Sequence, residues 1–490
     1  MKTYLLGVDI GTSSCKTALF DPDGRLAAQG SSEYPVSYPH RGWAEQDPAL
    51  WWDGACRAIR AMMEASGIRP AEVAGIGVDG QSWSAIAVDG EGQVLSPTPI
   101  WTDTRSDAIC RETVSRIPEE ALFQVSGNPV QPGYTWPKIL WYRQHRPEVY
   151  QKTEKILQSN SYIVYRMTGE MSQDVSQGYG LACFDMRKRA WDPDTCQRLG
   201  IPEKLLPQIV PCHHIVGTLT EEAARQTGLI AGIPVAAGGL DAACGTLGAG
   251  VASPGQTQEQ GGQAGGMSIC TDHYTADPRL ILSCHVVPGQ WLLQGGSTGG
   301  GGALKWLRET MCPALSFEEM SDLAATVPPG SDGVVFLPYM AGERSPIWDP
   351  NACGVFFGMR YGTTLAHLIR ACMEGVAYSL RHNLETAEKA GARAGCLRAM
   401  GGSANSRVWT QIKADVTGCN IEVPGSDTAT TLGAAILAGV GTGVYATCQE
   451  AAERTVSVRR RHTPDGSRKA AYDEGFSVYL DLYRRLKGLA

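Results

Sequence analysis

Asp9 ends the apolar run Tyr4-Leu5-Leu6-Gly7-Val8 and is followed at once by Ile10-Gly11-Thr12-Ser13, with Lys16 just beyond. A carboxylate, a glycine, two hydroxyls and an ammonium in this order can cradle phosphate. Gly11 lets a ligand approach the backbone closely, the N–H groups and hydroxyls of Thr12 and Ser13 can face phosphate oxygens, and Asp9 can hold a hydrated Mg²⁺. The turn lacks the Lys-Ser/Thr ending of a Walker loop and leads into a strand, so neither the P-loop nor the Rossmann fingerprint fits. A plain hairpin turn accounts for the same residues.

These side chains need strands to aim them. Ser14 to Asp21, the turn Asp21-Pro22-Asp23-Gly24 and Leu26 to Gln29 read as strand, turn, strand. Asp47 caps a helix with Pro48 at its first position, and Leu50, Trp51, Ala55, Ile59 and Met62 fall on one face. Val73 to Asp79 reads as a buried strand that empties into Gly80-Gln81-Ser82-Trp83-Ser84. This alternation predicts an α/β layered fold. The pattern restarts near residue 255, where Thr257 to Gln260, the glycine-rich Gly261 to Gly266, and Met267 to Cys270 form a second strand, turn, strand. Further glycine clusters precede Asp241, run from Gly295 to Gly302, and fill Met400-Gly401-Gly402-Ser403-Ala404-Asn405-Ser406, each placed between an apolar run and a helical pattern. Two similar halves that each give a glycine turn to a shared cleft would hold one nucleotide between them.

The 490 residues exceed what one core accommodates. A net charge of −7 argues against nucleic acid or an anionic membrane as partner. Met1-Lys2 leads straight into the first strand, and no segment reaches the length of a membrane span, so a cytoplasmic protein is expected. The 15 cysteines are scattered without a CxxC pair, which points to reduced core residues rather than disulfides or structural zinc.

With these pieces in place, the chain resembles the FGGY carbohydrate kinases, and within them most closely the xylulokinases. The likeness is carried by Gly7-Val8-Asp9-Ile10-Gly11-Thr12-Ser13, Trp43-Ala44-Glu45-Gln46-Asp47-Pro48, Pro137-Lys138-Ile139-Leu140-Trp141, Arg166-Met167-Thr168-Gly169-Glu170, Gly342-Glu343-Arg344-Ser345-Pro346 and Gly354-Val355-Phe356-Phe357-Gly358. It implies the two-domain sugar kinase, hexokinase and actin-like (ribonuclease H-like) fold with the site in the interdomain cleft, divided as 1–249 for sugar and the first phosphate loop and 250–490 for ATP. It also implies phosphoryl transfer from MgATP to a sugar hydroxyl, most closely that of a ketopentose such as D-xylulose, with a place in xylose metabolism. Asp241 is the implied general base, because an alcohol needs a nearby carboxylate to take its proton as the phosphoryl group arrives; a helix cap is the plain reading of that aspartate. Asp9 is the implied metal residue. ATP is expected at Gly11, Thr12, Ser13, Lys16, Gly262, Gln263, Gly301, Lys305, Gly401, Gly402, Asn405 and Ser406. The sugar is expected at Gln81, Ser82, Trp83, Trp101, Asp103, Asp241 and Ala242. The expected partners are sugar and ATP, with a homodimer as candidate assembly.

The chain departs from the family pattern in two places. The second phosphate turn reads Gly262-Gln263-Ala264 where relatives carry a hydroxyl, and Gln81-Ser82-Trp83 with Asp241-Ala242 replace the His and Asn of xylulokinases. The sugar pocket should therefore be less polar. A kinase for a deoxypentulose, a polyol such as glycerol or erythritol, or gluconate stays open, as does a catalytically weakened sugar- and nucleotide-binding sensor.

Overall fold

The computed structural model describes residues 3–425 and 428–489. The first sheet begins with the antiparallel strands β1 (Tyr4–Ile10), β2 (Ser14–Phe20) and β3 (Leu26–Glu33). Helix α1 (Pro48–Ser66) follows, its Asp47 cap accepting from the Ala49 N–H at 2.9 Å, with Trp51, Ala55, Ile59 and Met62 all buried. The chain returns as β4 (Val73–Gly80), parallel to β1. A largely helical excursion, which includes α2 (Thr135–His145), intervenes before β5 (Ile215–Thr218), β6 (Pro234–Ala236) and the short β7 (Gly239–Leu240). The order is β5-β6-β4-β1-β2-β3, with β7 also on β4. Helix α3 (Asp241–Gly248) then leaves the sheet.

The second sheet repeats the plan. β8 (Gln256–Gly261), β9 (Gly265–Thr271), β10 (Ile281–Cys284) and β11 (Trp291–Ser297) are antiparallel neighbours. After α4 (Gly301–Met311) and the long α5 (Leu365–Lys389) comes β12 (Cys396–Met400), parallel to β8 as β4 is to β1. Helix α6 (Arg407–Thr417), β13 (Asn420–Pro424), α7 (Ala429–Gly441) and β14 (Val458–His462) complete it, in the order β10-β11-β9-β8-β12-β13-β14. Two α/β halves of like topology result. Gly265, Gly266, Gly295 and Gly296 lie inside β9 and β11 rather than in loops, and Gly295 lets α5 pack closely, since a Cβ there would stand 2.2 Å from the Asn383 side chain.

The halves exchange helices. α7, from the second half, lies on the first sheet: a Cβ added to Gly7 or Gly77 would come within 1.9 Å of the carbonyls of Thr431 and Ala434. α3, from the first half, reaches the second sheet through Thr246, whose hydroxyl donates to Gln258 Oε1 at 2.8 Å. Where α3 and α7 cross, Gly248 and Gly433 each face a carbonyl of the opposite helix, that of Ala429 and that of Cys244. Only residues without a side chain allow backbones to approach so closely. Leu240, Ala243, Cys244 and Leu247 join Leu432, Ala435 and Ile436 in one apolar core.

All fifteen cysteines are free, with Cys353 alone exposed. Among the described residues no helix is long and apolar enough to cross a membrane.

Candidate active site

Strand register builds the site's floor. Lys16 on β2, Asp9 on β1, Asp79 on β4 and Gly239 on β7 stand side by side. Gly238 makes this possible: its φ of 71° turns the chain down onto β4, so close that a Cβ would lie 1.6 Å from the Val78 carbonyl. Asp241 is consequently delivered three residues after Gly238, at the first position of α3. The Leu240 N–H donates to Ser176 Oγ at 2.8 Å, and the Ser176 hydroxyl donates to buried Asp174, which also takes the Asn160 side-chain amide at 2.9 Å. The start of α3 is thus fixed from behind.

Asp241 does not cap the helix; its Oδ1 accepts the N–H of the next residue, Ala242, at 2.6 Å. Burial, and after it the charge of Asp9, push its carboxyl up to about 7, against the pull of the Ala242 N–H and Lys16. Burial also raises Asp9, which Lys16 and a hydrogen bond with Asp79 partly offset. The Lys16 ammonium stands 3.9 Å from Asp9 Oδ2. It is the one cation that weighs on all three carboxyls among the described residues. Three carboxyls thus share one ammonium beside a phosphate-sized turn, burial raises all three, and a divalent cation would take the place of the protons they hold.

The first turn is held from outside the cleft. Gly11, Thr12 and Ser13 give their carbonyls to Tyr34 Oη, Gln46 Nε2 and the Tyr34 N–H at 2.7, 2.9 and 3.0 Å. With its carbonyls turned to the scaffold, the loop leaves Ser13 and Lys16 exposed. Gln81 belongs to this scaffold too: buried, it donates from Nε2 to Gln46 Oε1 at 3.0 Å.

Beyond the floor, Trp83 stands in the left-handed region at φ 58° and packs against Tyr134 and Tyr179, ring centroids 4.7 and 5.3 Å away. The Tyr179 hydroxyl donates to Ser82 Oγ at 3.0 Å. Ala242, next to Asp241 on α3, makes its hydrogen bonds through the backbone alone. Buried Lys138 on α2 anchors the region: its Nζ donates to the carbonyls of Trp83, Ile100 and Gly133 at 2.8, 2.8 and 2.7 Å, which uses all three N–H bonds. Burial pulls its pKa down to about 7, against the Asp103 carboxylate. Trp101 stands at the rim, 38% exposed, with its Nε1 donating to Thr12 Oγ1 at 2.9 Å.

Asp103 requires a correction. It does not reach the cleft: fully buried, it accepts the Ala44 N–H at 2.7 Å and the Arg105 guanidinium at 2.9 and 3.0 Å. Arg105 is in turn held by Glu45 at 2.7 Å and stacked over Trp43 at 3.7 Å. A carboxylate so engaged has no oxygen to offer a sugar.

In the second half, three segments meet. Gly301 and Gly302 N–H donate to the carbonyls of Gly262 and Gln263 at 2.7 and 2.9 Å, and Gly401 lies against Gly261 and Gly262. The Gln263 side chain covers the start of α4, where a Cβ on Gly302 would meet its amide at 2.2 Å. Gly402 is exposed. Asn405 accepts from Arg459 at 2.7 Å, whereas the Ser406 hydroxyl is spent on capping α6 through the Trp409 N–H and on Ser321. Lys305 lies on the outer face of α4, 3.8 Å from Glu309. Asp79, Tyr134, Lys138 and Tyr179 were not singled out by sequence reasoning. Asp79, a carboxylate at the end of a strand like Asp9, and Lys138, within the motif Pro137-Lys138-Ile139-Leu140-Trp141, left a signal there without a role attached.

Residues 4–248 match the FGGY family of carbohydrate kinases, N-terminal domain, and residues 273–442 its C-terminal domain. A xylulose kinase of Bacillus subtilis (strain 168) is 30% identical over 488 residues, 99% of this chain and 98% of the relative. The crystal structure of xylulose kinase from Rhodospirillum rubrum superposes with a TM-score of 0.91 at 31% identity, covering 99% of each chain. That of gluconate kinase from Lactobacillus acidophilus gives 0.92 at 25% identity, covering 100% of this chain and 99% of the other.

Proposed function

The chain belongs to the FGGY family of carbohydrate kinases and uses ATP to phosphorylate a carbohydrate hydroxyl; we propose that its acceptor is a ketopentose such as D-xylulose, with Asp241 as the base. The observation that carries the base is the placement of Asp241 at the head of α3, beside Asp9, with its carboxyl pushed up to about 7. A carboxyl in that range accepts a proton near neutral pH more readily than an exposed one.

The steps follow from this placement. The acceptor hydroxyl lies against the wall of Trp83, Tyr134 and Tyr179 with its proton toward Asp241. As its oxygen bonds to the γ-phosphorus, the bond from that phosphorus to the bridging oxygen of ADP breaks, and the hydroxyl proton passes to Asp241 Oδ and then to solvent. The turns Gly11–Ser13 and Gly262–Gln263 hold the phosphates from the two halves, Lys16 adds one positive charge, and Gly301, Gly401 and Gly402 border the adenosine. A bound Mg²⁺ would neutralise charge on the phosphate oxygens, and Asp9 is the residue that fits it, a carboxylate at the strand end beside the Gly11–Ser13 turn with Lys16 no closer than 3.9 Å.

A second reading, with a deoxypentulose, polyol or gluconate as acceptor, is favoured by the aromatic wall, which offers few partners to a fully hydroxylated sugar face, and by the likeness to a gluconate kinase. A coupled assay of ADP release over pentuloses, deoxypentuloses, polyols and gluconate separates the two. The highest kcat/KM is expected with a pentulose; a preference for gluconate or a polyol would overturn that assignment.

A further inference from the structure

Asp79 is an acidic residue with no structural explanation. It is 0% exposed, and apart from its contact with the carboxyl of Asp9 neither of its oxygens meets a hydrogen-bond partner. Its neighbours in the row are Asp9, in register one strand away and within hydrogen-bond reach, and Gly239, while the carboxyl of Asp241 at the head of α3 is near enough for its charge to act on it. The backbone that carries it is fixed, since two residues earlier Gly77 packs against the Ala434 carbonyl of α7. A buried carboxylate whose near neighbours are other carboxyls is costly to keep ionised, and either a proton or a positive partner relieves it. Lys16 lies on the far side of Asp9, which it approaches only to 3.9 Å.

We propose that Asp79 is a second carboxylate, beside Asp9, that holds the divalent cation accompanying the nucleotide. The inference rests on the assignment of Asp9 to that cation. Mg²⁺ keeps most of its waters and takes one or two carboxylates together with substrate phosphates. Two strand-end carboxylates beside the Gly11–Ser13 turn match that donor set, and among the described residues no group of three or more His, Cys, Asp or Glu side chains is placed to enclose an ion. A proton shared between Asp9 and Asp79 would also settle the charge. An amide at position 79 mimics that protonated state while removing a charged ligand, so one substitution separates the two cases.

The experiment is Mn²⁺ binding to the full chain with ADP, followed by electron paramagnetic resonance and by calorimetry, for the wild type, Asp79→Asn and Asp9→Asn. Asp79→Asn should raise the Mn²⁺ dissociation constant about tenfold or more and leave metal-free ADP binding unchanged. If Asp9→Asn loses Mn²⁺ while Asp79→Asn binds it like the wild type, the inference about Asp79 is overturned and Asp9 keeps its assignment. If neither substitution changes Mn²⁺ affinity, the assignment of Asp9 falls as well. Should Asp79→Asn not fold, Asp79→Ser is read by the same criteria.

Discussion

The indole N–H of Trp101 donates to the hydroxyl of Thr12 at 2.9 Å, joining the rim of the proposed sugar pocket to the first phosphate turn. Thr12 Oγ1 lies 3.5 Å from Gln81 Oε1, and Gln81 is bound to Gln46, which holds the carbonyl of Thr12. The proposed sugar side and the proposed nucleotide side are thus linked by hydrogen bonds within the first half alone.

Trp101→Phe and Thr12→Val should therefore be non-additive. A neutral hydrogen bond contributes about 1 kcal/mol net, so the coupling in kcat/KM should be roughly fivefold. Additive effects of the two substitutions would show that the bond has no role in turnover.

Lys138→Met should raise the sugar KM about tenfold or more with little change in the ATP KM, because the carbonyls of Trp83, Ile100 and Gly133 lose their common donor and the segments bearing Trp83 and Trp101 drift apart. Leaving buried carbonyls unpaired costs about 1–3 kcal/mol each. Lys138→Arg, which restores donors, should recover part of the affinity. Equal loss of affinity for both substrates would point to general unfolding instead.

Gly77→Ala should lower stability by about 1–3 kcal/mol in denaturant titration, since its Cβ must push the α7 backbone away. Gly90→Ala, whose Cβ would meet nothing within 4 Å, is the control and should be near neutral. Similar midpoints for the two variants would contradict the close packing of α7 on the first sheet.

The acid limb of kcat/KM should report Asp241. Only its carboxylate form accepts a proton, so activity falls as pH drops below about 7, with a slope of one proton. Part of the upward shift comes from the charge of Asp9, so raising Mg²⁺ should move the limb to lower pH. A limb that stays in place as Mg²⁺ is varied would separate Asp241 from the cation site.

Local signals were legible in the sequence and long-range ones were not. The Asp47 cap, the face of α1, the turn at Gly11–Ser13 and the restart near residue 255 depend on neighbours a few positions apart, and each appears in the fold. Asp103 misled because spacing cannot show that Arg105, two residues on, folds back to enclose it. The cluster of Trp83, Tyr134 and Tyr179 is assembled from three distant segments, and Asp79 meets Asp9 only through parallel strand pairing. The exchange of α3 and α7 left only glycines in the sequence, and glycines there read equally well as turns.

Whether Asp241 takes the acceptor's proton is read from steady-state kinetics of Asp241→Asn and Asp241→Ala, paired with sugar binding followed by tryptophan fluorescence. A fall in kcat of about 10²-fold or more with sugar binding retained is expected, the scale of a lost general base. Near-normal turnover in Asp241→Ala would contradict it.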